Sequence, residues 1–279
     1  MKKIFFKAEI LIIFIAPFFM LCGTIFLDLL DADCAAGADN KNFYYFNPDS
    51  SQSNLARLKK EMERFLNKKD LALNFQPFAK YHDFHREMEA GLPAFVFLPD
   101  WYYQQNKKNS KLKPLLQPLR NGLVTYRKIL LTTQDSTLTL QGLSNKILAM
   151  TTMGNEAPDA VNRLLFNTFK IKSDSLNIIA TPKDSDALFA LAVRQVDAAL
   201  VSENNLQRIG KINPRILQIV RPLAESQPIP MPILCTGNGK VLDKKVMKLK
   251  KIFLEAKYSD DSADLMEMLQ IDAWNNYAR

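Results

Sequence analysis

From Phe43 onward the chain alternates between short apolar runs and longer segments with apolar residues every three or four positions. That alternation predicts a wound α/β protein, strands and helices taking turns. Residues 43–47 form an apolar run ended by Pro48-Asp-Ser-Ser. Helical spacing follows over 53–66 through Leu55, Leu58, Met62 and Phe65, with Ser53 as the expected N-cap. A strand over 71–75, a helix over 83–90 stopped at Gly91 and a buried strand over 94–98 complete a βαβαβ unit, which winds right-handed almost without exception.

Residues 125–133 predict one further strand, and then the pattern restarts: strand 147–150, helix 158–169, strand 177–180, helix 184–193, strand 198–201. Two units of one kind in one chain predict two lobes. The segment 229–235 (Ile-Pro-Met-Pro-Ile-Leu-Cys) reads as extended, and its prolines restrict it to an edge or a crossover. Helices over 244–257 and 262–269 close the pattern, and no repeat of solenoid type is present.

Ahead of this body lie Met1-Lys-Lys, an uncharged apolar stretch from Ile10 to Leu27 and a small-residue cluster ending at Ala38. Two readings fit residues 1–38: a secretory signal cleaved after Ala38, and a retained N-terminal anchor, since the stretch is close to the ~18 residues of a membrane span. Both put the rest of the chain outside the cytoplasmic membrane, a periplasmic location. Of the three cysteines, Cys22 and Cys34 lie in or beside this segment, so a cleaved form keeps Cys235 alone and has no internal disulfide.

The 279 residues and 47% hydrophobic content supply real cores, and the net charge of +8 favours anionic partners. Lysines such as Lys59, Lys60, Lys244 and Lys245 are spread over helix-like faces, which reads as solvated surface, and no nucleic-acid-binding module is present. His82 and His85, three apart on one helix, lack the converging ligands a zinc site needs and read as surface residues. The acidic pairs Asp184/Asp186 and Asp260/Asp261 read as solvated loop or cap positions. No nucleophile elbow, phosphate loop or dinucleotide fingerprint occurs, so the sequence gives no basis for an enzyme and calls for no cofactor.

The strongest candidate chemistry is the junction Met150-Thr-Thr-Met-Gly-Asn155, where small hydroxyls, a glycine and an asparagine lie between an apolar strand and a helix. A helix start presents unpaired N–H groups and partial positive charge, a setting for an oxyanion.

Five stretches together resemble the periplasmic phosphonate/phosphite-type solute-binding proteins of ABC importers, over about residues 43–277. They are Tyr81-His-Asp-Phe-His-Arg-Glu-Met-Glu-Ala-Gly91 with the strand after it up to Tyr102; residues 127–136 running into 140–143; the Thr151 junction; residues 186–199; and Glu225-Ser-Gln-Pro-Ile-Pro230. The resemblance implies the two-lobed type II periplasmic-binding-protein fold of class α/β with two crossover strands. One lobe would hold residues 39–128 and 224–279, the other 129–223. It also implies a receptor that closes on a small anionic ligand (phosphonate, phosphite or phosphate-like) and presents it to a membrane permease. The alternative is a sensory module that signals to a membrane histidine kinase or cyclase. In the family's pattern Thr151, Thr152 and Asn155 match the helix start that holds phosphonate oxygens, Asp197 matches an acid at a strand start, Tyr81 and Tyr102 fall near the aromatic contacts, and Ser50 opens the first loop. Two departures are visible: Thr181-Pro-Lys-Asp-Ser-Asp186 stands where the family often has a histidine, and Thr-Thr-Met-Gly-Asn replaces a serine-glycine pattern.

Overall fold

The computed structural model describes residues 41–50, 54–108, 111–154, 157–165, 172, 175–237 and 243–278. Residues 1–38, with the expected signal or anchor, lie outside them, as does Asn155. No helix among the described residues is long and apolar enough to cross a membrane.

The first sheet has the order β13-β4-β12-β3-β1-β2, formed by β1 (Asn42–Tyr45), β2 (Asn74–Pro77), β3 (Phe95–Leu98), β4 (Lys113–Leu119), β12 (Ile233–Thr236) and β13 (Ala273–Asn276). β1, β2 and β3 are parallel, and β1 lies between the other two. A parallel central strand is covered on both faces, which explains why Phe43-Tyr-Tyr-Phe46 is an unbroken apolar run. Period-2 alternation then divides it: Phe43 and Tyr45 enter one core, Tyr44 and Phe46 the other. In the first core Phe43, Phe75 and Trp274 meet Phe65 of α1 (Leu55–Lys68) and Phe253 of α8 (Asp243–Glu255). The second core is covered by Phe84 and Met88 of α2 (Tyr81–Ala90) and Tyr102 of α3 (Asp100–Asn106).

The second sheet has the order β10-β6-β9-β7-β8, from β6 (Lys128–Thr133), β7 (Ile147–Thr151), β8 (Asn177–Thr181), β9 (Ala198–Ser202) and β10 (Val220–Glu225). β7, β8 and β9 are parallel and β6 and β10 antiparallel to their neighbours. Helices α4 (Ala157–Leu165), α5 (Asp184–Ala192), α6 (Glu203–Ile212) and α7 (Arg215–Ile219) belong to this half of the chain. The chain passes between the sheets twice. The two crossings pair as a short antiparallel ribbon of β5 (Thr125–Tyr126) and β11 (Ile229–Pro230). This is the two-lobed architecture with two crossover strands that the resemblance implied.

Several elements differ from the sequence expectation. The strand expected over 125–133 is divided at Arg127, because its first part pairs in the ribbon and its second in the sheet. The first helix is capped by Asn54, whose side chain accepts the Arg57 N–H at 2.9 Å, one residue beyond the expected Ser53. Residues 229–235 divide: Ile229–Pro230 form the crossing β11, as expected, whereas β12 is an interior strand between β3 and β4, not an edge. Pro230 and Pro232 precede it, so its own N–H groups are free to pair on both sides. β4 went unpredicted because Pro114 and Pro118 argue against a strand, and α3, α6, α7, β10 and β13 are too short or too polar to stand out.

Phe253 is 1% exposed and makes edge or tilted ring contacts with Phe43, Phe65 and Trp274. Phe253→Ala therefore leaves a cavity at the centre of the first core and is expected to cost about 3–5 kcal/mol in urea unfolding. A loss below ~1 kcal/mol would show that this helix does not complete the core.

Candidate functional site

The cleft edge follows from strand direction. In open α/β sheets ligands bind in the crevice beyond the carboxyl ends of parallel strands. Asp49 and Ser50 follow β1, Thr151 ends β7, Asp184 opens the helix after β8, and Ser202 ends β9 with Asn205 one turn on. β6 runs the opposite way, so its first residue, Lys128, lies opposite Ser202 at the same edge.

Lys128 is the centre of the site. Its backbone is held by Ser226 on the second crossing: Lys128 N–H donates to Ser226 Oγ at 2.9 Å, and Ser226 N–H to the Lys128 carbonyl at 2.8 Å. Its side chain is 1% exposed. The ammonium donates to Asp49 Oδ1 at 2.6 Å and to Thr151 Oγ1 at 2.7 Å, and Asp184 Oδ1 lies at 3.7 Å. The Thr151 hydroxyl accepts from Lys128 and donates in turn to Asp49 Oδ1, while the Tyr126 hydroxyl donates to Asp49 Oδ2. Tyr126 and Lys128 reach the same carboxylate because residues i and i+2 of an extended chain face one side.

Asp184 is fixed from below. Its Oδ2 accepts the Ser202 N–H at 2.9 Å, the Ser202 hydroxyl at 2.6 Å and Asn205 Nδ2 at 2.8 Å. Asn205 Nδ2 also donates to the Asp49 carbonyl at 2.8 Å, joining the two lobes through one amide. Among the described residues, Asp184 Oδ1 and Asn205 Oδ1 are buried without a hydrogen-bond partner.

Burial penalises all of these charges, and the cluster divides the cost unevenly. For Asp49 burial raises the carboxyl pKa, but the Lys128 charge and the hydrogen bonds from Lys128, Thr151 and Tyr126 outweigh it and leave the group below the usual carboxylate range. Burial would likewise lower Lys128, and its two carboxylates hold it above the usual lysine range. Burial, with Asp49 nearby, pushes Asp184 up in spite of Lys128. Burial and the Asp49 charge push the Tyr126 phenol well up, so it remains a donor. Asp49 and Lys128 are thus the ionised pair, and Asp184 is the acid under strain.

Other contacts close the lobes further. Trp101 packs against the cores of both sheets, and Gln105 Nε2 reaches the Met153 carbonyl at 3.4 Å. Gly154 lies against them with φ +78°; a Cβ there would sit 2.8 Å from Gln105 Oε1 and 3.0 Å from Trp101 Cζ3. On the other side of the cluster a cavity of about 290 Å³ is lined by Ser50, Asp184, Asn205, Phe189, Ile209 and Ile212, among others.

The structure brings together only some of the residues expected from the sequence. Thr151 is in the cluster and Ser50 beside it, in the cavity wall. The Thr152 hydroxyl accepts from Gly154 N–H at 3.2 Å and holds the local turn. Asn155 is outside the described residues. Tyr102, 3% exposed, belongs to a first-lobe core; its hydroxyl lies 3.0 Å from His85 Nδ1, and Tyr81 stacks on the same imidazole.

Asp197 is not brought to the cleft. It precedes β9 at the opposite end of the sheet, accepts the Ile147 N–H at 2.8 Å and lines a separate cavity of about 500 Å³. Its strand-start position is the reason: it is on the amino side of the strand whose carboxyl end forms the site.

Two further expectations are corrected. Asp184 is buried in the cluster instead of solvated, because its helix starts at the cleft edge. His85 is half-buried and bound to Tyr102, so it is more than a surface residue. No group of three or more His, Cys, Asp or Glu suited to a metal occurs among the described residues. Asp49, Tyr126, Lys128 and Asn205 were not found from sequence. The available signal was their position at strand ends facing one edge, which requires knowing the strand order.

Two mixed sheets joined by paired crossings, with polar groups converging from both, define a two-lobed periplasmic binding protein. The family described as "ABC transporter, phosphonate, periplasmic substrate-binding protein" matches residues 44–277, and the chain belongs to it. Membership of this family implies an extracytoplasmic location. The fold is similar to a binding protein component of an ABC phosphonate transporter from Pseudomonas aeruginosa, with TM-score 0.67 and 16% identity over 85% of this chain and 80% of that one. It is also similar to PhnD1 from Prochlorococcus marinus, solved in complex with methylphosphonate (TM-score 0.68, 12% identity, 85% and 92% covered). A histidine kinase sensor domain with similarity to periplasmic binding proteins matches at TM-score 0.55 and 14% identity, covering 83% and 96%. Comparison with curated protein sequences finds no match.

Lys128→Met removes the one ammonium facing two buried carboxylates and is expected to cost about 3–5 kcal/mol in denaturant unfolding. For Asp49 the folded pKa is depressed, so its stabilisation is complete above the unfolded value of about 4 and is lost as pH falls through the folded value. Melting temperature against pH should show that acid step in wild type and not in Asp49→Asn; an identical acid limb in both would show that Asp49 does not carry it.

Proposed function

We propose that this protein is an extracytoplasmic solute receptor whose lobes close on a small anion at the Lys128–Thr151 edge and whose closed form is read by a membrane ABC transporter. One observation carries the reading: donors from the crossing and the second lobe, Tyr126, Lys128 and Thr151, converge on a carboxylate supplied by the first lobe. The donors lie on the crossing and the second lobe, and closure brings the first lobe's carboxylate to them, so occupancy of the anion seat is coupled to lobe closure. A ligand shifts the open–closed equilibrium only by its differential affinity for the closed form.

Phosphonate, phosphite and phosphate-like ions are the ligands the family name brings into view, and small carboxylates share the required charge. A sensory role is the second reading, motivated by the likeness to a histidine kinase sensor domain with similarity to periplasmic binding proteins. No catalytic step is assigned to these residues; the buried groups here bind and hold charge.

A thermal-shift screen of phosphate, phosphite, methylphosphonate and small carboxylates should find at least one anion that raises the melting temperature, following RT ln(1 + [L]/Kd). Thr151→Ala should remove most of that shift while leaving the unliganded protein folded. A tight anion whose shift is unchanged in Thr151→Ala would place the binding site elsewhere.

A further inference from the structure

The position an anion would take beside Thr151 is held by the protein's own carboxylate. Asp49 receives the Lys128 ammonium at 2.6 Å, the Thr151 hydroxyl and the Tyr126 hydroxyl, three donors on two oxygens of one planar group. Its side chain retains 12% exposure, against 1% for Lys128. It is thus at the margin of the cluster, on a loop just after β1, whereas the groups that bind it are anchored in or beside the crossing and the second sheet.

The charge beneath this seat limits what can replace Asp49. Asp184 lies 3.7 Å from the same ammonium and is fixed there by Ser202 and Asn205. Arg120 acts on Asp49 and Tyr126 only through its charge, its Nε being bound to the Gln270 carbonyl at 2.7 Å. A dianion placed on Lys128 would face the Asp184 carboxylate at close range, and among the described residues no second ammonium pairs with Asp49 or Asp184. A monoanionic carboxylate exchanges like for like. Beside the seat, the cavity of about 290 Å³ shares Asp184 and Asn205 with the cluster and is lined by the apolar side chains Phe189, Ile209 and Ile212 together with Lys183 and Arg208. Phe189, Ile209 and Ile212 can pack a short hydrocarbon tail.

We propose that the cleft is a seat for small monocarboxylates with a short apolar tail, and that Asp49 fills it in the unliganded closed form as a tethered stand-in that the ligand displaces. The inference rests on the reading of the Lys128–Thr151 edge as the ligand site. It makes Asp49 the specificity-determining residue: ligand binding is a competition with an intramolecular carboxylate, and the net affinity is what remains after that displacement.

The test is calorimetric and thermal-shift titration of wild type, Asp49→Ala and Asp49→Asn with acetate, propionate, methylphosphonate and phosphate at matched ionic strength. Asp49→Ala removes a group that acetate reproduces, so acetate and propionate should bind it at least about tenfold more tightly than wild type, with methylphosphonate gaining less. Carboxylates that bind Asp49→Ala no better than wild type, or methylphosphonate gaining most, would overturn the proposal. If Asp49→Ala does not fold, Asp49→Asn keeps the shape while removing the charge. Small-angle scattering gives an independent arm: ligand-free Asp49→Ala should have a larger radius of gyration than ligand-free wild type, and propionate should contract it. Equal ligand-free radii for the two proteins would rule out the stand-in. The underlying site reading fails separately, if Thr151→Ala leaves every anion affinity of wild type unchanged.

Discussion

A single buried ammonium organises the cleft of this protein. Lys128 sits where the chain enters its second sheet, and its charge cannot remain there unpaired, because an uncompensated buried ion costs several kcal/mol. Everything around it answers that demand. Asp49 comes from the first lobe, Asp184 from the helix after β8, Thr151 from the end of β7, and Ser226 ties the backbone of the two crossings together at the same residue. The lobes are therefore joined by electrostatics at the point where a hinge-closing receptor would grip its ligand.

The cluster is not balanced. Two carboxylates face one ammonium, and Asp49 takes the better geometry while Asp184 keeps one oxygen without a hydrogen-bond partner among the described residues. Such incomplete satisfaction is expensive in a low-dielectric site. Trp101 and Gln105 act differently: they supply apolar contact and a backbone hydrogen bond across the lobes, which add closure energy without selecting charge.

Much of the fold was legible along the chain. The apolar run at Phe43, the spacing of Leu58, Met62 and Phe65, and the restart after Thr133 carry the two α/β units, because burial imposes period 2 on strands and period 3.6 on helices whatever lies beyond them. β4 and β10 were not legible, since Pro114, Pro118 and Pro222 break the local pattern and only their neighbours in the sheet hold them extended. The Thr151 junction was visible as polar residues after an apolar strand. Asp197 carried the same kind of local signal and lies at the wrong end of its strand, a distinction that needs strand direction relative to the sheet.

The sequence by itself determined the class of the fold, the two units and the polar junction at Thr151, because these depend on periodicity and on residue types within a few positions. Only the tertiary structure decided that Asp49, Tyr126, Lys128, Thr151, Asp184 and Asn205 share one site. Polar groups separated by up to 156 positions meet there because parallel strands place their carboxyl ends on one edge and the crossings bring the two edges face to face. The identity of the group at Thr151 was settled at that level too: the hydroxyl meets the chain's own aspartate, a contact that no local pattern encodes.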